Sequence, residues 1–173
     1  FVYSFHMVLF VLLAGYIAKE DVVKWNVGKF IKHLFATRLL PFIFLTLVMM
    51  IPPLFFEGKF YGLPLPSLVG YLRGTTLTVF GLPSFCIPSW FLLMVIGLEI
   101  IHYTAFRYLK DSNTKILIAA VMFYVVGYWL NLELDIFNPL KGRTIGWNYF
   151  FIHGATTLYS FYLLGIFLRR KRF

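Results

Sequence analysis

The chain has 173 residues, 60% of them hydrophobic and 13% charged, with a formal net charge of +9. Soluble domains run at roughly 45–50% apolar and about 25% charged, so a globule of this size cannot hide twenty-one phenylalanines and eleven tyrosines, and the composition is that of an integral membrane protein. The Lys and Arg residues lie in loops between apolar segments and not along an aromatic-interleaved face, which argues against a nucleic-acid partner, and the single cysteine, Cys86, excludes a disulfide framework within the chain and a multi-cysteine metal site.

At about 20 apolar residues per crossing, the pattern predicts an all-α, polytopic transmembrane helix bundle of about five spans. The first is Val2–Ala18. Phe1 already lies at or inside it with no signal peptide ahead, so the chain reads as a piece of a longer protein. The basic segment Val22–Arg38 carries an apolar stripe of Val23, Val27, Phe30, Ile31 and Phe35, and is expected to lie along the cytoplasmic interface. The second span is Leu39–Phe56. Pro41 is tolerated in its first turn, whereas Pro52-Pro53 should break or kink it.

A Gly- and Pro-rich connection, Glu57–Ser89, follows. Its apolar piece Ser67–Phe80 contains Arg73 and is too short to cross, so an interfacial or re-entrant helix is expected there. The third span is Trp90–Leu109. Asp111-Ser112-Asn113 reads as a tight polar turn that makes the third and fourth spans antiparallel neighbours. The fourth is Ile116–Leu130 and the fifth Trp147–Leu168. No internal repeat or low-complexity linker interrupts residues 1–173, which read as a single transmembrane domain.

The charges assign sides. Lys19, Lys24, Lys29, Lys32 and Arg38 follow the first span; Arg107, Lys110 and Lys115 flank the third-to-fourth turn; Arg169, Arg170, Lys171 and Arg172 form the tail. Alternating crossings put these twelve on one side, against Lys59, Arg73, Lys141 and Arg143 on the other. The twelve-bearing side is expected to be cytoplasmic, which leaves His6 one to two turns inside the outer face. An ionisable ring in an apolar helix is costly and usually points into a packed interior or a wet cavity, so His6 is the leading functional candidate.

The residues around it, Ser4-Phe5-His6-Met7-Val8-Leu9-Phe10 followed by Leu13-Ala14-Gly15-Tyr16, resemble the second membrane segment of the acyltransferase-3 family, the fucose O-acetylase-like membrane acyltransferases. That segment has a Phe-His-Met-Pro-Leu-Phe run and then Ser-Gly-Tyr or Ser-Gly-Phe. Here Val8 replaces the usual Pro and Ala14 the usual Ser. Thr37-Arg38-Leu39-Leu40-Pro41-Phe42 is similar to the family's Arg-x-Leu-x-Pro-Tyr, Ser89-Trp90-Phe91-Leu92 to its Trp-Phe-Leu, and Tyr162 to Arg169 to its Phe-Leu-Leu-Gly-Tyr-Leu-Leu-Arg. The four runs keep the family's order and cover this chain, which is only part of the family's larger helical core.

The resemblance implies an enzyme that moves an acetyl or other short acyl group from acyl-CoA to a hydroxyl, with a carbohydrate or glycan as the expected acceptor. Acetyl-CoA or another acyl-CoA is then a donor substrate, and no permanently bound cofactor or metal is expected. Acyl transfer needs a base for the hydroxyl proton, and a neutral imidazole suits that task. The family has another essential histidine on an upstream helix, which is the stronger candidate for the base; His6 would then position the acceptor or thioester, or tune that partner. A structural His6 bonded to a neighbouring helix is the alternative.

Glu99 and His102 share one helical face, and can neutralise each other as a proton relay, a substrate-binding pair or an interhelical clamp. His153, with Thr156 and Thr157, reads as acceptor lining or as helix–helix hydrogen bonding. Arg38 is placed to meet the donor's phosphates or to serve as a positive-inside anchor. Trp90 is an acceptor contact or an aromatic-belt residue, and the Arg-Arg-Lys-Arg tail a solvated anchor on anionic lipid. A non-enzymatic transporter or flippase subunit for a glycan or lipid intermediate is the rival reading, with Glu99, His102 and His6 coupling protons.

Overall fold

A computed structural model describes residues 2–52, 55, 59–60, 63–64, 68–86, 89–132 and 149–171. It is all-α apart from a minimal antiparallel hairpin of β1 (Lys59–Phe60) and β2 (Leu63–Pro64). The helices are α1 (Val2–Ile17), α2 (Val27–Leu34), α3 (Leu40–Met49), α4 (Leu68–Val79), α5 (Trp90–Leu109), α6 (Asn113–Leu132) and α7 (Ile152–Lys171). By length and composition Val27–Met49, Trp90–Leu109 and Asn113–Asn131 can each cross a membrane, and α1 contributes a shorter apolar stretch, His6–Ile17.

Three expectations change. The segment expected at the interface is a 3-10 turn, Glu20–Lys24, and then α2, which runs on through a π-helical turn, Phe35–Leu39, into α3. Val27–Met49 is therefore one helix of 23 residues. Pro41 explains the π turn: its ring clashes with the carbonyl four residues back, at Thr37, and a widened turn relieves the clash without ending the helix. The helix does stop at Met49, ahead of Pro52.

The second change concerns neighbours. α6 is longer than expected and packs extensively on α7, while Arg170 of α7 bonds both the Lys110 carbonyl and Asn113 at the turn between α5 and α6. The third is the start of the last helix, at Ile152. Phe150 and Phe151 have φ of 54° and 52°, a left-handed conformation that side chains with a Cβ rarely adopt and that interrupts a right-handed helix. Trp147, its expected start, lies outside the described residues, as do Lys141, Arg143 and Arg172.

The chain forms two compact units, with the boundary inside α5. One comprises Phe1–Asn26, Gly97–Asn148 and Ile152–Phe173, the other Val27–Ile96 and Tyr149–Phe151. The first is organised on α7. A Cβ on Gly97 of α5 would stand 3.1 Å from the Ala155 Cβ, and one on Gly127 of α6 would stand 2.6 Å from the Thr157 Cα. On α1, a Cβ at Gly15 would overlap the Tyr162 carbonyl and stand 2.9 Å from its Cα; one on Gly165 would overlap the Leu12 carbonyl. Small residues let backbones approach closely where lipid supplies no hydrophobic drive for association.

In the second unit, the Tyr71 hydroxyl on α4 donates to the Met50 carbonyl at the end of α3, at 2.9 Å. Gly74 of α4 lies against the Phe85 ring, where an added Cβ would be 2.8 Å from Cζ. Gly81, at φ +82°, turns the chain after α4.

Gly15→Val is expected to lower the melting temperature of the detergent-purified protein, because overpacking costs about 1–3 kcal/mol when the clash is with backbone. Gly28→Ala is the control. No heavy atom lies within 4 Å of its added Cβ, and a helical Gly→Ala exchange is expected to gain about 0.5–1 kcal/mol.

Candidate functional site

Opposite charges gather the ends of the first unit's helices. Glu20, just beyond α1, is bound by Arg169 of α7 at 2.5 Å and by the Arg170 Nε at 3.0 Å, with a second, closer ion pair from Arg170 Nη2. Arg169 also donates to the Ala18 carbonyl, and Arg170 donates to the Lys110 carbonyl at 2.8 Å. α1 and α7 therefore run parallel, with their C-termini at the basic end. α6 is antiparallel to α7, since Asn131 near its end donates to the His153 carbonyl at 3.2 Å and to Thr157 Oγ1 at 3.0 Å. Arg169 and Arg170 are thus structural and half-buried, not the solvated anchor expected.

The Arg170 guanidinium, hydrogen-bonded to Glu20, is the main influence holding that carboxyl below the usual carboxylate range; Arg169 adds to it and partial burial opposes it.

Parallel packing sets the depth of the histidines. Gly15 meets Tyr162, and His6 and His153 each stand nine residues before that crossing on their own helices, about 14 Å along the axes. With Gly165 meeting Leu12 and Tyr16, the two therefore lie within about one turn of each other along the axes of packed neighbours. His6 is exposed and His153 is buried. The His153 carbonyl belongs to the Asn131–Thr157 clamp, so the helix–helix hydrogen bonding weighed for this stretch is present.

His102 lies at a different level, nearer the basic end. It is 3% exposed, its Nδ1 is 3.3 Å from the Tyr159 hydroxyl, and the rings of Phe106 and Tyr162 stand 4.6 and 5.0 Å away. Its Nε2 makes no hydrogen bond. The polar partner that the structure gives His102 is Tyr159, whereas a match with Glu99 was expected; Glu99 is half-buried one turn earlier. Sequence reading missed Tyr159 and Glu20. The signal for Tyr159 was the face Ala155, Tyr159, Leu163 and Ile166, all fully buried, on which tyrosine is the one polar member. The signal for Glu20 was a carboxylate at the end of an apolar span in a chain with an Arg-Arg tail.

Trp90 and Arg38 belong to the other unit. Trp90 opens α5, half-buried, with its ring 5.4 Å from that of Phe151. Arg38 is half-buried in the π turn. The six candidates therefore divide, with His6, Glu99, His102 and His153 in one unit and Arg38 and Trp90 in the other. Among the described residues, no three His, Cys, Asp or Glu side chains cluster to hold a metal.

Long apolar helices and close glycine crossings are those of a polytopic membrane protein. The acyltransferase-3 family, described as an acyltransferase domain, matches residues 1–173, and the chain belongs to it. No curated protein and no solved structure matches the chain.

The charge cluster predicts a pH dependence. A carboxyl with a lowered folded-state pKa stabilises the fold above its unfolded value, and that contribution is lost as pH falls through the folded value. Glu20→Gln is expected to lower the melting temperature at neutral pH, by the equivalent of roughly 1–2 kcal/mol for a half-buried, charge-assisted network. Wild type and variant should converge in acid, which thermal melts between pH 7 and 3 will test.

Proposed function

We propose that this protein is an integral membrane O-acyltransferase that moves an acetyl or other short acyl group from acyl-CoA to a hydroxyl of a carbohydrate. The acceptor oxygen attacks the thioester carbonyl carbon and the carbon–sulfur bond breaks. The hydroxyl proton passes to a base, and the CoA thiolate takes up a proton as it leaves. His6 holds the acceptor hydroxyl by an imidazole nitrogen and aligns its proton for transfer. What carries this reading is the placement of His6, an exposed imidazole on an apolar helix of an acyltransferase-family domain, within about one turn of the depth of His153.

Basic residues on the cytoplasmic side attract the anionic donor. Arg38 meets its phosphates, an assignment supported by its position within a helix whose first half carries Lys29 and Lys32. His102, Glu99 and His153, polar groups on helices of the first unit, are assigned to the acceptor, and Trp90, in the second unit, carries an aromatic ring of the kind that suits a sugar.

The test is transfer from labelled acetyl-CoA to candidate sugars in membranes containing the full chain. His6→Ala is expected to cut the rate by about 10²–10⁴-fold, the usual contribution of a positioned acid–base group, with membrane level and melting temperature preserved. Arg38→Ala is expected to raise the KM for acyl-CoA more than it lowers kcat. Full activity in His6→Ala would remove His6 from the site. Glycan translocation without donor consumption would make the protein a transporter instead.

A further inference from the structure

Tyr124, Tyr128 and Asn131 recur at helical spacing toward the end of α6 opposite the basic turn, so they share one side of that helix. We propose that Asn131 and Tyr128 form a subsite for one neutral sugar ring, with Asn131 Oδ1 accepting a hydrogen bond from a ring hydroxyl and the Tyr128 ring covering a C–H face of the sugar. The sugar is the acceptor of the transferase reading above, on which this site rests.

The asparagine is held so that only an acceptor remains. Its Nδ2 donates to the Gly127 carbonyl at 2.6 Å, to the His153 carbonyl at 3.2 Å and to Thr157 Oγ1 at 3.0 Å. Carbonyl oxygens only accept, so the nitrogen must face them and the amide cannot be reversed. Asn131 is half-buried, and its Oδ1, which takes no hydrogen bond, is not enclosed. An acceptor fixed in this way meets a hydroxyl donor with little further loss of rotamer freedom.

The tyrosine is held as well. Tyr124 packs edge-on against Phe161 of α7, at 6.0 Å and 86°, and Tyr128 stacks on Tyr124 at 6.4 Å and 13°. Helical side chains lean toward the N-terminus, so Tyr128 covers Tyr124 with one face and turns the other toward the Asn131 end. It is 56% exposed. An aromatic face is weakly negative and attracts the C–H groups of a pyranose. Cβ atoms three residues apart on a helix lie about 5–6 Å from each other, a span that one sugar ring bridges.

Charge and depth select the occupant. α6 and α7 carry no acid, and their cations, Lys115, Arg169, Arg170 and Lys171, lie at the opposite end, so a nucleotide's phosphates would find no counter-charge on either helix. Asn131 stands about 27 Å along α6 from Asn113, against a hydrocarbon core of about 30 Å. That puts the amide at the boundary where hydroxyls stay hydrated.

The experiment reads saturation-transfer NMR from the purified full chain to methyl β-glucoside and methyl β-galactoside, in a detergent without a sugar head group and with no acyl donor present. Wild type is expected to saturate the ring C–H protons of at least one of the two. Tyr128→Phe should keep the signal and Tyr128→Leu largely remove it, while Trp129→Leu, on another side of α6, should leave it unchanged. Asn131→Leu should weaken the sugar's Kd by about 2- to 10-fold, the ratio for one hydrogen bond. No saturation of either glycoside by wild type would overturn the proposal without any variant. So would an undiminished signal in Tyr128→Leu, an unchanged Kd in Asn131→Leu, an equal loss in Trp129→Leu, or displacement of the sugar by an equal concentration of adenosine. Absence of acyl transfer in the assay above would remove the transferase reading and leave this binding result standing. Sugar acylation with an unchanged acceptor KM in Tyr128→Leu would remove the subsite alone.

Discussion

The contact on which the rest of the α7 unit depends is the meeting of α1 and α7 at Gly15 and Gly165. Each glycine there faces backbone of the opposite helix so closely that no Cβ fits. Lipid tails are as apolar as leucine, so helices gain little by hiding apolar side chains from them; packing and polar contacts must supply the association. Glycine is the residue that permits this, and Gly97 and Gly127 repeat the device where α5 and α6 reach α7. A helix approached on three sides through such small residues has little freedom to rotate or slide.

That crossing also sets where the chemistry lies. Because α1 and α7 run in the same direction, His6 and His153 stand within about one turn of each other in depth, while His102 sits with Tyr159 and Tyr162 nearer the basic end. The Glu20–Arg169–Arg170 cluster favours the parallel arrangement, since an antiparallel α1 would strand a half-buried carboxylate away from these two arginines. An electrostatic contact at one end of the unit thus bears on which histidines lie at similar depth at the other.

Much of the helical pattern was legible because it rests on composition. Trp90–Leu109 appears with the expected bounds, and α1 and α6 lie where apolar runs predict them, since a run of that length has no other way to satisfy its backbone in lipid. Boundaries governed by single residues were harder to read. Pro41 suggested a helix start, yet the chain absorbs it in a π turn and carries the helix back to Val27. Phe150 and Phe151 delay α7 through a backbone conformation that no residue preference announces. The candidate site was legible only in part: His6 and His102 stand out as ionisable groups in apolar helices, whereas Tyr159, Glu20 and Asn131 look ordinary until their surroundings are known.

By itself the sequence determined the all-α membrane class, the family, and the residues whose placement is costly enough to notice. Each of these follows from transfer free energies and local motifs, which depend on the chain alone. The pairing of α6 with α7, the partner of His102, the similar depth of His6 and His153, and the fixed orientation of the Asn131 amide were decided only by tertiary structure. They depend on which helix faces meet, and in a chain apolar on nearly every face the hydrophobic pattern does not distinguish a lipid-facing side from a packed one. Close glycine approaches and a few polar contacts make that distinction, and both become visible only once the helices are side by side.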